Sequence, residues 1–304
     1  MKEERFLKII KSITDNNYIG DDCAYLKELG IVISQDSLVE NIHFSMDYTT
    51  PYQLGYKAAM VNISDIAASG AIPKYITVAL SLPKNIDEKF IKEFYEGCKF
   101  ALGDAQIIGG DITGSEKIMI SITAIGVVKD RFISSRKNAK ERFVIVTSGD
   151  YGSSAAGLKL LKQNVQGHED LKKSHIMPKA QIEFASIIAK NIKENYAMMD
   201  TSDGLADALF KIAKESNKTI ELYFDKILYN KKIKEIFPND YEDIILYGGE
   251  DYQIVAAIPE EFAQKYNLNI IGRVMEKIDN NFVKVQLKNK TYFINDLENT
   301  FNHF

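Results

Sequence analysis

Apolar and polar positions follow two different periods in different stretches of the chain. Pro51 to Ser69 is rich in Ala, Leu and Met and is closed by Gly70, with Pro73 shortly beyond, a pattern that predicts a helix with a glycine stop. Asp87 to about Gly103 opens with an acidic first turn, favoured by the helix dipole, and puts Phe90, Ile91, Phe94 and Cys98 on one stripe. Runs of β-branched residues predict strands at Ile31 to Ser34, Tyr75 to Leu82, Ile118 to Val128 and Phe143 to Ser148.

After Lys140 the pattern restarts. Strand 143–148 is followed by helix 153–163, a polar stretch through Lys173, helix 179–194, strand 196–200 and helix 204–216, with further strands near Ile244 to Ile258, Ile270 to Val274 and Phe282 to Leu287. Alternation of this kind predicts an α/β second half. The basic, polar segment Ser134 to Arg142 marks the boundary, and no internal repeat suggests a solenoid.

Composition narrows the function. With 304 residues, 45% of them hydrophobic, the chain can bury a core large enough for a deep site, which excludes a disordered protein. The formal net charge is −4 with no basic block, so the electrostatic footprint of a nucleic-acid binder is missing. Cys23 and Cys98 form no C-x-x-C pair, and no stretch of about 18 apolar residues runs uninterrupted. A cytoplasmic chain with neither membrane span nor signal peptide is expected.

The chemistry gathers in short Gly, Ser and Asp clusters: Gly20-Asp21-Asp22, Ser34-Gln35-Asp36-Ser37, Asn62-Ile63-Ser64-Asp65, Gly109-Gly110-Asp111, Asp200-Thr201-Ser202-Asp203-Gly204 and Gly248-Gly249-Glu250-Asp251. No G-x-x-x-x-G-K-[ST], G-x-G-x-x-G or kinase H-R-D motif accompanies them. Most lie at the end of an apolar run, and carboxylates placed where strands end converge at one sheet edge. They repel unless cations share the space, and hard oxygen ligands select Mg²⁺ or Mn²⁺. Each cluster taken alone also reads as ordinary turn chemistry, and Asp203 also reads as a cap on the helix beginning at Gly204. Asp65 resists that reading, because Asn62, Asp65 and Ser69 make a narrow polar stripe and Ala58 to Ala71 contains no Lys or Arg. His43 reads equally as a loop histidine, while His168 and His175, in a charged stretch, are expected in solvent.

Eight segments, in order, resemble the thiamine-monophosphate kinase family of the aminoimidazole ribonucleotide synthetase-like superfamily: IGDDCAYL (19–26), SQDSLVENIHF (34–44), YKAAMVNISDIAASGAIP (56–73), IIGGDITG (107–114), SSRKNAK (134–140), DTSDGL (200–205), YGGEDYQI (247–254) and FNHF (301–304). The resemblance implies an α+β, two-domain fold: an N-terminal ATP- and metal-binding domain (1–138) whose sheet pairs across a homodimer, and a C-terminal α/β domain (139–304). It implies phosphorylation of thiamine monophosphate to thiamine diphosphate by direct, in-line transfer from ATP, assisted by several Mg²⁺ ions. Matching motif positions would make Asp22, Ser34, Gln35, Asp36, Asp65, Asp111, Asp200 and Asp203 metal ligands. Gly110, Asp111, Arg136 and Ser202 would meet ATP, and His43, Glu250 and Phe301 the thiamine phosphate. Many relatives carry Thr where this chain has Gln35, harmless if the ligand there is a backbone carbonyl. Other ATP-using synthetases of the superfamily, such as selenophosphate or aminoimidazole ribonucleotide synthetase, are the neighbouring alternatives. The N-terminus MKEERFLKII lacks the reactive Cys in a Gly-rich segment expected of the selenophosphate enzyme. A non-catalytic nucleotide- or metal-binding protein on the same fold would be expected to have lost ligand carboxylates, whereas every Asp position of the family is filled here.

Overall fold

The computed structural model, which describes residues 2–14, 18–288 and 290–297, builds one sheet from each half of the chain. The first half runs α1 (Lys2–Thr14), β1 (Ala24–Leu26), β2 (Ile31–Val39), α2 (Pro51–Ser69), β3 (Ile72–Leu82), α3 (Glu88–Leu102), β4 (Gln106–Gly114) and β5 (Met119–Val127). Helix α2 starts where Thr50 and Gln53 form a reciprocal capping box and stops at Gly70, which turns the chain with φ 91°. The strands lie in the order β1-β2-β5-β3-β4, antiparallel except for the parallel pair β3 and β4. Ile118, Ile120, Ile122 and Ala124 alternate inward beneath α2 and α3, while Gln35, Ser37, Ser121 and Thr123 bond one another on the other face. The Gly109-Gly110-Asp111 segment lies inside β4 rather than in a turn. A Cβ at position 110 would meet the Val78 carbonyl oxygen at 1.8 Å, so only glycine admits this approach of β4 to β3.

The second half continues with β6 (Val144–Thr147), α4 (Ser153–Lys162), α5 (Glu169–Ile176), α6 (Ile182–Asn191), β7 (Ala197–Asp200), α7 (Leu205–Glu215), β8 (Thr219–Tyr223), α8 (Lys231–Ile236), α9 (Tyr241–Tyr247), β9 (Ile254–Ile258), α10 (Glu260–Lys265), β10 (Asn269–Met275), β11 (Val283–Gln286) and β12 (Thr291–Ile294). The sheet order is β12-β11-β8-β10-β6-β9-β7. Helix α7 covers one face, packing with Ile145, Met199 and Val255, whereas α6 and α10 cover the other, packing with Val144, Val146, Met198 and Ala256. Burial on both faces explains why β6, β7 and β9 are almost continuously apolar rather than alternating.

One sequence expectation is corrected here. Ile244 to Ile258 is not a single strand: Ile244 to Tyr247 end α9, and only Ile254 to Ile258 join the sheet, with the polar Gly248-Gly249-Glu250-Asp251 loop between them. The short apolar runs on either side of that loop do not by themselves distinguish a buried helix end from a strand. Helix α5 occupies the second part of what reads as a polar connection. Among the described residues no helix is long and apolar enough to cross a membrane.

Helix α2 links the halves. Ala67 near its C-terminus belongs to the core of the second sheet, and Ser134 Oγ, in the connecting segment, donates to the carbonyls of Ala68 and Met198.

Candidate active site

Three of the expected carboxylates meet at this junction. Asp22 precedes β1, Asp65 projects from α2 and Asp200 ends β7, and one oxygen from each lies within 4.8 Å of the others. Each is held by a neighbour from a different element. Ser34 Oγ of β2 donates to Asp65, Ser64 Oγ donates to Asp200 at 2.5 Å, and Arg136 pairs with Asp22. Burial, followed by repulsion from neighbouring carboxylates, pushes Asp65 well above the usual carboxylate range. Asp200 rises to about 8 for the same first cause, with Asp22 the largest charge against it. Asp22 rises less, because the Arg136 guanidinium opposes its burial.

Asp36 extends the group. Its charge bears on both Asp65 and Asp200, and its backbone N–H donates to Asn62 Oδ1 at 3.0 Å. Strand alternation separates its neighbours: Ser34 faces the cluster, whereas the Gln35 side chain lies on the opposite face with Ser121 and Thr123. Only the backbone carbonyl of Gln35 is left as a candidate ligand. Asp111 is exposed on the edge strand β4, together with Gly110. Asp203 pairs with Lys211 at 3.3 Å, and the residue at the N-cap of α7 is Gly204, so Asp203 does not cap that helix.

The connecting segment closes one side. Ser135 Oγ and the Arg136 backbone N–H both donate to the Asp21 carboxylate, at 2.8 and 2.7 Å, which fixes the turn carrying Arg136. The Arg136 guanidinium is largely buried, its Nε has no partner among the described residues, and Asp22 holds its pKa above normal against the opposing effect of burial. A cavity of about 310 Å³ opens beside it, lined by Asp21, Asp22, Ser69, Ser135 and Lys137 among others.

The loop after α9 closes another side. The Glu250 backbone N–H donates to the Ser202 carbonyl at 2.6 Å, and a Cβ on Gly249 would meet that same oxygen at 2.7 Å, so the two loops pack backbone to backbone. Asp251 accepts from the backbone N–H groups of Gly152 and Ser154 at 2.6 and 2.8 Å. Tyr252 is buried, and Glu250, Asp36, Asp200 and Asp65 all push its hydroxyl pKa upward beyond the effect of burial, which places this loop against the carboxylate cluster.

His43 Nδ1 accepts from the Val39 N–H at 3.0 Å and so closes the turn after β2. Phe301 lies outside the described residues. His175 is not in solvent as expected: it is 2% exposed, with Nδ1 3.1 Å from Glu250. Its buried position depends on α5 folding back over α4, which a charged stretch of sequence does not announce. Lys57, which no motif in the sequence marks as functional, is 1% exposed and pairs with Glu250 at 3.0 Å. A single lysine on an otherwise apolar face of α2 was the available signal.

Residues 20–128 match the model of the AIR synthase related protein, N-terminal domain. The thiamine-monophosphate kinase of Bacillus subtilis is 33% identical over 255 residues, covering 80% of this chain and 78% of its own. That of Aquifex aeolicus is 32% identical, covering 89% and 90%. The chain belongs to the thiamine-monophosphate kinase family. It is therefore a phosphotransferase, and the solved structures agree. AaThiL complexed with AMPPCP and TMP aligns with a TM-score of 0.85 at 30% identity over 95% of either chain. The hydrogenase maturation protein HypE, in a HypE-HypF complex, aligns at 0.76 with 20% identity and so shares the fold.

Proposed function

We propose that this protein transfers the γ-phosphoryl group of ATP to thiamine monophosphate, giving thiamine diphosphate and ADP. The convergence of Asp22, Asp65 and Asp200 where the two sheets meet is the observation that carries this reading. In the transfer, a phosphate oxygen of thiamine monophosphate attacks the γ-phosphorus. One P–O bond forms as the bond to the bridging oxygen of ADP breaks, and no covalent enzyme intermediate is needed. The nucleophile is already an anion, so the protein's work is to align two phosphates and offset charge.

The donor set fits hard divalent cations: buried carboxylate oxygens that repel one another and have one guanidinium to share. Asp22, Asp36, Asp65 and Asp200 would hold Mg²⁺, joined by the Ser34 hydroxyl, the Gln35 carbonyl and, once phosphates arrive, Asp111 and Asp203. Bound there, Mg²⁺ would neutralise phosphate charge. Arg136 is suited to nucleotide oxygens because its guanidinium is already largely desolvated, between Ser135 and Lys137, which line a cavity together with its partner Asp22. Gly110 and Ser202 complete the ATP side of this reading, and His43, Glu250 and Phe301 the thiamine side. Both halves, 1–138 and 139–304, contribute to each side of this site, with Arg136 at the seam.

We further propose a homodimer through the first sheet, supported by the exposure of Ile108 and Ile112 on the edge strand β4. Sedimentation at micromolar protein should give twice 34.4 kDa, and a monomer alone would remove this part. The activity is tested by incubating the protein with ATP, Mg²⁺ and thiamine monophosphate. Thiamine diphosphate should accumulate with one ADP per turnover, and its absence would overturn the assignment.

A further inference from the structure

Behind Glu250 lies a polar group that the proposed reaction does not use. Glu250 itself keeps 22% of its side chain exposed, whereas Lys57 and His175 behind it keep 2% each. Lys57 Nζ donates to Glu250 Oε1 at 3.0 Å and to the His43 carbonyl at 3.1 Å. His175 Nδ1 reaches Glu250 Oε2 at 3.1 Å and Ser154 Oγ at 3.1 Å. Both carboxylate oxygens are thus fixed from the protein side.

The imidazole is neutral on two independent counts. Its buried Nε2 has no partner among the described residues, so a proton there would be left unsatisfied. Burial, then the Lys57 cation, also push its pKa down to about 3, with Glu250 opposing. The neutral ring with its proton on Nδ1 donates to Glu250 and leaves a bare lone pair at Nε2. Lys57 is then the one cation paired to Glu250, and His175 supplies direction without charge. The Glu250 backbone sits at φ 64°, a left-handed conformation that a residue with a Cβ keeps only where surrounding contacts impose it.

We propose that Lys57 and His175 are positioning residues that hold the Glu250 carboxylate, and through the His43 carbonyl the facing turn, in the orientation that receives the thiamine portion of the acceptor. This rests on the reading of Glu250 as a substrate contact. The ion pair presents an oriented hydrogen-bond acceptor with its charge already balanced, suited to an N–H donor on the ligand rather than to a free cation.

The test is a double-mutant cycle read by calorimetric titration of thiamine monophosphate, which needs no turnover, with Michaelis constants for both substrates alongside. Glu250→Gln should weaken thiamine monophosphate binding about tenfold. His175→Gln removes the donor at Nδ1 and should weaken it about three- to tenfold, leaving ATP almost unchanged. His175→Asn restores a donor near that position and should recover most of the loss. In the Glu250→Gln background, His175→Gln should cost less than about twofold, because it acts through the carboxylate. Lys57→Met should behave like His175→Gln but more strongly, with thermal denaturation reporting any loss of fold. If the His175 effect persists undiminished without Glu250, or both substrates weaken together, the positioning role is wrong. If Glu250→Gln itself leaves binding unchanged, it is the reading of Glu250 as a substrate contact that falls.

Discussion

Helix α2 carries two carboxylate sites about 12 Å apart along its axis, near Asp65 and near Lys57, and the protein treats them in opposite ways. At Glu250 the counter-charge is built in: a buried lysine and a neutral histidine occupy both oxygens. At Asp65 it is withheld. Three carboxylates gather within 4.8 Å, and the one guanidinium nearby pairs with Asp22. A carboxylate with an internal partner is fixed before any ligand arrives and can only recognise. A set that repels when ionised holds protons instead, as the raised pKa values of Asp65 and Asp200 express, and an incoming cation displaces them, so cation binding, proton release and ordering of the site become one event.

The contrast between the two sites depends most directly on Asp65. Asp65→Asn keeps the shape but removes a charge, and turnover should fall about 10²–10³-fold while circular dichroism stays unchanged. Near-normal turnover would remove Asp65 from the machinery. The next effect is on ligand binding: ATP titrated in the presence of a chelator should bind at least about tenfold more weakly than with Mg²⁺, because phosphates would otherwise add to the repulsion. Equal affinity in both conditions would mean that Arg136 alone suffices.

Asp251 is the intermediate case, a buried carboxylate that accepts two backbone N–H bonds but pairs with no cation among the described residues. Burial lifts it to about 7, with Glu250 and Asp150 adding to the rise and the Ser154 and Gly152 amides opposing it. A raised acid contributes stability that is whole below its unfolded pKa near 4 and is lost as pH climbs through about 7. The effect should be about 1–3 kcal/mol, read as the difference between wild type and Asp251→Asn in urea unfolding at pH 4.5 and pH 7.5. A difference that does not change with pH would show that the two amides offset the burial completely.

Much of the fold was legible in the residues because it is decided locally. The Pro51–Ser69 helix and its Gly70 stop follow from composition and a backbone conformation that glycine adopts without strain. The long β-branched runs became β3 and β5 to within a few residues, because strands buried on a helix-covered face need that pattern. The Ile244 to Ile258 run was not legible, since its apolar residues serve a helix and then a strand, and periodicity alone does not separate them. In the site, the Gly-Asp clusters announced themselves as types of residue at ends of apolar runs. The residues alone determined that several carboxylates with few basic neighbours were available. The tertiary structure decided which of them meet: alternation turned the Gln35 side chain away while Ser34 reached Asp65, and the junction of the two sheets brought Asp200 to Asp22. It also decided that His175, from a stretch whose sequence reads as solvated, is sealed against Glu250, because burial depends on what packs over a segment and not on the segment's own polarity.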